Sequence, residues 1–269
     1  MSLSNSDLPL SSDAIVRHLG ALAPAFALRI VAECASTNSE LMDAAPADEG
    51  PVEVVAAECQ TAGRGRRGRQ WQSWPGGSLT FSTRWGFRPG APVPAGLSLV
   101  AGLAVVRALE RLGVDGLQLK WPNDVLVHGQ KLAGILVELL PARGRPPAAV
   151  VGIGLNLRLP ADFSLPEQTG VTDLGSHLDP LPDRNRLLAA LLTEFHALFD
   201  TYAAAGFAAL RGAWQQRNAF SDLPVRISGD QQEITGICAG VDEDGALLVR
   251  TDAGLARILS GEVSLRIAT

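Results

Sequence analysis

The chain has 269 residues, 46% apolar and 19% charged, with a net charge of −5. It can bury a full core, and its acidic balance excludes a protein whose main task is coating nucleic acid. No apolar run approaches the ~20 residues that span a bilayer, and three cysteines without paired spacing, Cys34, Cys59 and Cys238, exclude a disulfide scaffold.

In chain order, residues 1–12 are polar and are expected to fray, and 13–22 form a short helix capped by Ser12 or Asp13. No basic segment leads into an apolar block, which with separated, reduced cysteines implies a cytoplasmic protein. Residues 28–33 alternate as a strand. Ser36-Thr37-Asn38 follows, leading into a helical stretch at 39–42 with Ser36 or Thr37 as its cap. Hydroxyls and an amide at such a corner can also hydrogen-bond a small polar ligand.

A second strand, 52–58, runs through Cys59-Gln60 into Gly63-Arg64-Gly65-Arg66-Arg67-Gly68-Arg69-Gln70-Trp71. Four arginines within six positions, interleaved with glycine, match neither helix nor strand. They suit a polyanion: guanidinium forks grip phosphate oxygens in pairs, and glycine lets the backbone approach. Trp71 and Trp74 either stack on a base or pin the loop to the body. A turn at 75–77 leads to a third strand, 78–85.

Residues 95–112 carry apolar residues at helical spacing, and Ala101, Gly102 and Ala104 imply close packing on a sheet. A strand at 117–121 ends at Pro122, and Asn123-Asp124 turns an amide and a carboxylate outward. Beside a polyanion, such a carboxylate serves Mg²⁺ rather than the anion. In the next strand, 130–138, Lys131 sits at the margin of an apolar run and Gly134 is a gap in mid-strand. The strand at 148–157 has further gaps at Gly152 and Gly154, so the two strands imply a slot floored by backbone. A polar loop is read at 141–147, a loop with a short helix near 172–178, and helices at 184–204 and 207–217. From 223 the texture changes to short strands at 225–227, 233–237, 246–249 and 256–259, read as a small β-barrel with a boundary near 219–222.

His18, His128, His177 and His196 lie on different elements without metal spacing, and neither a G-x-S-x-G elbow nor a Walker A sequence occurs. What is left is a cationic loop, one marginal lysine, one carboxylate and a glycine slot. That inventory suits a reaction in which the substrates bring the nucleophile and the protein supplies position and charge.

Five motifs in order carry a family resemblance: Ser36-Thr37-Asn38; Gln60 to Trp71; Lys120-Trp121-Pro122-Asn123-Asp124; Lys131-Leu132-Ala133-Gly134-Ile135-Leu136-Val137-Glu138; and Gly152-Ile153-Gly154-Leu155-Asn156. Together they resemble the biotin protein ligases, which attach biotin to carboxylase carrier proteins. Gly261-Glu262-Val263-Ser264 is similar to that family's SH3-like C-terminal cap. The resemblance implies an α+β fold: a mixed central β-sheet backed by helices, of class II synthetase type, plus a small SH3-like barrel. It divides the chain into a tail and short helix at 1–27, a catalytic domain at 28–220 and a C-terminal domain at 221–269.

It further implies biotin contacts from Ser36, Thr37, Asn38, Gln60, Gly63, Arg64, Gly65, Arg66, Lys131, Gly134, Ile135 and Gly152, and nucleotide contacts from Arg66, Arg67, Arg69, Trp71, Asn123, Asp124, Lys131 and Asn156. Lys131, Arg66 and Asp124 would carry the chemistry, with ATP and Mg²⁺ required and Asp124 as the metal's ligand. The partner would be a biotin carboxyl carrier protein. The 27 residues before the first matched strand are too few for the helix-turn-helix of the repressor members, so no DNA partner is expected, nor any membrane. Monomer and homodimer stay open. A lipoate or octanoate ligase and a non-enzymatic nucleic-acid binder are the rival readings.

Overall fold

The structure, a computed structural model, describes residues 8–44, 50–87, 95–140, 147–161, 163, 170–229, 233–260 and 264–268. Its frame is a seven-stranded sheet of β1 (Phe26–Cys34), β2 (Val52–Gln60), β3 (Ser78–Gly86), β4 (Leu117–Lys120), β5 (Asp124–Val127), β6 (Gln130–Leu140) and β7 (Ala148–Asn156). The strand order is β1-β2-β3-β7-β6-β5-β4. β1 and β2 run parallel and every other pair is antiparallel, so the sheet is mixed, as expected.

Alternation along the strands gives this sheet two different faces. On one, Val54, Ala56, Leu79, Phe81, Ala133, Ile135, Val151, Ile153 and Leu155 join the main core with residues of α3 (Leu97–Arg111) and α4 (Arg184–Ala205). Small residues let α3 come close: at Gly102 an added Cβ would stand 3.0 Å from Leu119 Cδ2 and 3.4 Å from Ile135 Cδ1. On the other face the same strands present Thr80, Ser82, Gly134, Gly152 and Gly154. There the covering element is the short α2 (Thr37–Asp43), whose Leu41 packs on Val55 and Val150. Buried Arg84 donates to the carbonyls of Leu41 and Ala44 at 2.9 and 3.0 Å and pairs with Glu53, so it holds the end of α2.

α5 (Ala208–Gln215) leads to a second, antiparallel sheet. Its strands are β8 (Pro224–Ser228), β9 (Glu233–Val241), β10 (Leu247–Thr251), β11 (Gly254–Ile258) and β12 (Ser264–Ile267), in the order β11-β10-β9-β8-β12. Its interior, including Val225, Cys238, Leu247 and Leu265, is continuous with the main core. Trp121 crosses the junction and donates from Nε1 to the Gly245 carbonyl at 3.0 Å. No helix of the described residues is long and apolar enough to cross a membrane.

Several sequence expectations are corrected. The first helix, α1, spans Ser12–Leu19 with Ser11 as its cap, and it stops early because Gly20 takes a φ of 56° and opens a 3-10 turn, Gly20–Ala25. The end of the tail is tied down rather than frayed: Leu10 N–H donates to Glu58 at 2.6 Å, Arg184 donates to the Leu8 carbonyl, and Leu10 is buried. α2 begins at Thr37, two residues earlier than read, with Ser36 at the N-cap position but no side-chain cap bond. α3 begins at Leu97 with Gly96 as N-cap, and the last helix is shorter than 207–217. β5 and β12 were not expected as strands. Of the loop read at 141–147, residues 141–146 lie outside the described residues, as do 261–263 of the C-terminal cap motif.

Arg184, with 3% of its side chain exposed, pairs with Glu58 at 2.6 Å. Glu58 therefore neutralises a buried guanidinium and receives the tail at once. Glu58→Ala is expected to lower stability by about 3 kcal/mol, because a buried charge loses its partner. Urea unfolding checks this, and a loss below ~1 kcal/mol would mean that Arg184 finds water instead.

Candidate functional site

The site lies on the helix-poor face. Cross-strand register sets two adjacent rows: Lys120, Asp124, Gly134, Gly154 and Thr80, then Leu136, Gly152 and Ser82. Directly opposed residues of an antiparallel pair share a face, so the three glycines form one bare patch of backbone. The slot expected from the glycine gaps is present, and two protein side chains lie on its floor. A Cβ at Gly154 would fall on the Trp71 indole, one at Gly134 would come within 3.2 Å of Trp71 Cζ3, and one at Gly152 would collide with Asn38 Oδ1. Of the two roles read for Trp71, pinning to the body is seen here, and Trp74 is likewise pinned, edge-on to Phe163 at 5.1 Å.

At one end of the slot the start of α2 builds a polar head. Thr37 donates from N–H and from Oγ1 to Gln60 Oε1, at 2.7 and 3.1 Å. Its hydroxyl meets Ser82 Oγ at 2.7 Å, and Ser82 in turn donates to Asn38 Oδ1 at 2.5 Å. Asn38 Nδ2 donates to Glu138 Oε2 at 2.8 Å, and the same oxygen accepts from Arg64 Nη2 at 2.7 Å. A single chain of contacts therefore runs from Gln60 through Thr37, Ser82, Asn38 and Glu138 to the basic loop. Ser36, Thr37 and Asn38 are all buried. Asn38 has no spare donor, since Nδ2 also reaches the Leu136 carbonyl at 3.3 Å, whereas Gln60 spends only its oxygen on Thr37.

The loop itself is folded. Gly65 N–H donates to the Arg69 carbonyl at 2.7 Å, Trp71 N–H donates to Gly63 O at 2.9 Å, and Arg64 bridges to Gln70. Gly63 is close-packed, with a would-be Cβ 3.0 Å from Gln60 Nε2. Arg67 adopts φ 59° within the 3-10 turn Arg66–Gly68. Arg66 spans the mouth, donating to Asn123 Oδ1 at 3.2 Å and to the carbonyl of Ser260, which follows the second sheet's strand Gly254–Ile258, at 2.8 Å. Arg69 is exposed along the same wall.

At the other end, Lys131 Nζ stands 2.6 Å from Asp124 Oδ1 and 6.0 Å from the Trp71 ring centroid. Its backbone is strapped to the segment after 169, through Lys131 N–H to Gly170 O and Thr172 N–H to Lys131 O, both 2.9 Å. Thr172 O also accepts from Asn156 Nδ2 at 3.0 Å, which leaves the Asn156 oxygen for a ligand. Burial pushes the Lys120 pKa below its ordinary value; Asp124 opposes that, while Lys131, Arg266 and Arg69 reinforce it. All the site residues read from the sequence meet in this one pocket, except Gly63, which lies under the loop.

Comparison with known proteins agrees with this geometry. Residues 35–156 match the Biotin/lipoate A/B protein ligase family, and residues 220–266 match the Biotin protein ligase C terminal domain. A biotin--[acetyl-CoA-carboxylase] ligase of Paracoccus denitrificans is 39% identical over 243 residues, covering 87% of this chain and 98% of that one. The chain belongs to the biotin protein ligase family. It is accordingly a ligase, with the fold of that family and an SH3-like C-terminal domain. The bifunctional ligase/repressor BirA of Escherichia coli is 37% identical over 236 residues, 87% of this chain and 72% of that one. The biotin protein ligase from Aquifex aeolicus, solved in complex with biotin and ATP, superposes with a TM-score of 0.76 at 30% identity, covering 90% of this chain and 99% of that one.

Four site residues escaped the sequence reading. Glu138 and Ser82 were inside predicted strands, and their signal was period two: Glu138 shares a face with Gly134, and Ser82 opposes Gly152. Lys120 belongs to the Lys120–Asp124 motif, for which the family resemblance implies roles at Asn123 and Asp124 but none at Lys120. Ser260 has no sequence signal, because it enters through its backbone carbonyl from a bend after the strand Gly254–Ile258. The His128 and His177 rings, read as lying on different elements without metal spacing, stand 5.8 Å apart, with His177 Nε2 2.7 Å from Thr172 Oγ1. Among the described residues no group of three or more His, Cys, Asp or Glu is placed to hold a metal ion.

Because Trp71 lies on Gly154, Gly154→Ala should lift the indole and loosen the loop it anchors. Overpacking of this kind weakens the closed form by about 1–3 kcal/mol. Limited trypsin digestion should then cut the loop arginines about tenfold faster. An unchanged rate of cutting would show that Trp71 is not what holds the loop.

Proposed function

We propose that this protein activates biotin with ATP to biotinyl-5′-adenylate and transfers the biotinyl group to a lysine of a biotin carboxyl carrier protein, working in the cytoplasm. One observation carries the reading: a floor of glycines on which Trp71 and Asn38 lie, closed at one end by the Gln60–Thr37–Ser82–Asn38 chain and at the other by the Lys131–Asp124 pair. A flat apolar ring with a polar, urea-like head fits such a slot, head toward α2 and carboxylate toward Lys131. Residues 28–220 act as the catalytic domain and 221–269 as the C-terminal domain, whose Ser260, Ser264 and Leu265 stand at the mouth.

The roles follow from where each group stands in the pocket. Ser36, Thr37, Asn38 and Gln60 hold the ureido ring, Gln60 through its unspent donors. Gly134 and Gly152, with the Ile135 backbone, floor the slot. Gly63, Arg64 and Gly65 set the loop over the bound acid. Arg66, Arg67 and Arg69, with Asn123, face the phosphates. Trp71 and Asn156 seat the nucleoside; the buried Trp71 Nε1, without a partner among the described residues, is a donor left for it.

A biotin carboxylate oxygen attacks the α-phosphorus, forming the acyl–O–P bond as the bond to the bridging oxygen breaks and pyrophosphate leaves with the electron pair. Lys131 and Arg66 stabilise the charge spreading over the α-phosphoryl oxygens. The mixed anhydride is prone to hydrolysis, so the folded loop excludes water until the carrier's amine attacks the acyl carbon and AMP departs. Among the described residues lining the pocket Asp124 is the one carboxylate, and it offers at most a single ligand, which fits Mg²⁺ arriving with the nucleotide phosphates. Asp124 is also the group assigned to accept the proton that the carrier amine loses.

Incubation with ATP, Mg²⁺ and either biotin or lipoate separates the two acids: pyrophosphate release with lipoate and not biotin would reverse the assignment. Lys131→Ala should slow adenylation about 100-fold or more while the melting temperature stays put. Turnover near wild type in a folded variant would remove Lys131 from the chemistry. Arg66→Gly should let adenylate escape into solution, seen as free biotinyl-adenylate appearing without carrier; undiminished retention would count against loop closure.

A further inference from the structure

Lys120 belongs to the slot by register, yet the roles above do not use it. It opposes Asp124 across β4 and β5, Asp124 opposes Gly134, and Gly134 opposes Gly154. Lys120 is therefore in the same cross-strand row as the glycine floor, one strand beyond the Lys131–Asp124 pair, and it lines the same pocket. Among the described residues no ion pair or hydrogen bond engages its ammonium; its described partner is the Phe220 ring, 5.8 Å away. Lys131 has taken the Asp124 carboxylate. Lys120 thus brings a positive charge to the end of the slot toward the second sheet without bringing a counter-charge.

The charges around it exceed what an acyl-adenylate requires. Arg66, Arg67, Arg69, Lys120 and Lys131 line the pocket together with Arg64, which Glu138 answers, and Asp124 is the one carboxylate among the described lining residues. Setting Arg64 aside, five positive charges meet one negative. The phosphate of an acyl-adenylate, a mixed anhydride, carries a single negative charge, which Lys131 and Arg66 already meet. The surplus matches a ligand with two further phosphoryl groups, present before the reaction and absent after it.

We propose that Lys120 binds the β- and γ-phosphoryl groups of the nucleotide and then the departing pyrophosphate. The inference rests on the adenylating role argued above. As the bond between the α-phosphorus and the bridging oxygen breaks, that oxygen takes the electron pair, and the Lys120 ammonium hydrogen-bonds the pyrophosphate while keeping its own protons. The subsite therefore acts on the first half-reaction in both directions and is idle in the second, when no pyrophosphate is present.

Three measurements on the full chain test this in Lys120→Met and Lys120→Arg. They are pyrophosphorolysis of pre-formed biotinyl-adenylate against inorganic pyrophosphate concentration, biotin binding by calorimetry, and single-turnover transfer from pre-formed adenylate to a carrier domain. In Lys120→Met the KM for pyrophosphate should rise about tenfold or more, the loss of one charge-assisted contact. Biotin affinity and the transfer rate should stay within about twofold. Lys120→Arg, which keeps the charge, should recover most of the pyrophosphate affinity, and it decides the matter if the methionine variant does not fold. An unchanged pyrophosphate KM overturns the proposal. So does a loss confined to transfer with a displaced pH profile, which would make Lys120 a base for the carrier amine. If wild type shows no biotin-dependent exchange of pyrophosphate into ATP, the adenylating role itself fails, which is a separate result.

Discussion

One sheet has to serve two opposite surfaces, and the rest of the molecule follows from that. Strand alternation sends Leu79, Phe81, Ile153 and Leu155 to one side, where they are buried under helices. The positions between them point the other way and are nearly stripped of side chains at Gly134, Gly152 and Gly154. The helix-backed face supplies the burial that holds the strands flat and fixed. The bare face can then hold a ligand, or another backbone's side chains, in direct contact with peptide groups. Neither face could be altered alone, because a one-residue slip would exchange them.

On that bare face, position is passed along by hydrogen bonds rather than by apolar packing. The run from Gln60 to Arg64 passes through the buried Thr37, Ser82 and Asn38 and ends on Glu138, whose Oε2 accepts from both Asn38 and Arg64. In a poorly solvated pocket, breaking one link leaves the next group unsatisfied, which makes the head of the slot stiff. The basic loop is joined to the same run through Arg64, so the groups that read the ring and the groups that meet the phosphates are mechanically linked. The second sheet completes the site from outside: Ser260 receives Arg66, and Trp121 reaches across to Gly245.

Much of this was legible in the residues. Period-two alternation located β1, β2, β3, β6 and β7 to within a few positions, and the glycine gaps at 134, 152 and 154 announced a backbone floor. The clustering of four arginines pointed to a polyanion. Short elements were less legible. β5 holds four residues directly after a turn, and β12 holds four beside residues 261–263; neither has length enough for alternation to show. The cap of α1 was displaced by one residue, because Ser11, Ser12 and Asp13 are all good caps and local sequence does not choose among them.

By itself the sequence determined which residue types stand at which spacing: the cationic loop, the lone marginal lysine, the glycines on alternating positions and the family to which those motifs belong. Those are local properties, set by side-chain chemistry and by the two-residue and 3.6-residue periods of the backbone. Only the tertiary structure decided partnerships. That Lys131 is held by Asp124, that Trp71 lies on Gly154, that Asn38 answers to Glu138 a hundred residues away and that Lys120 shares a row with the floor all depend on strand order and register. Register is a cooperative outcome of the whole core, and no short stretch of chain contains it.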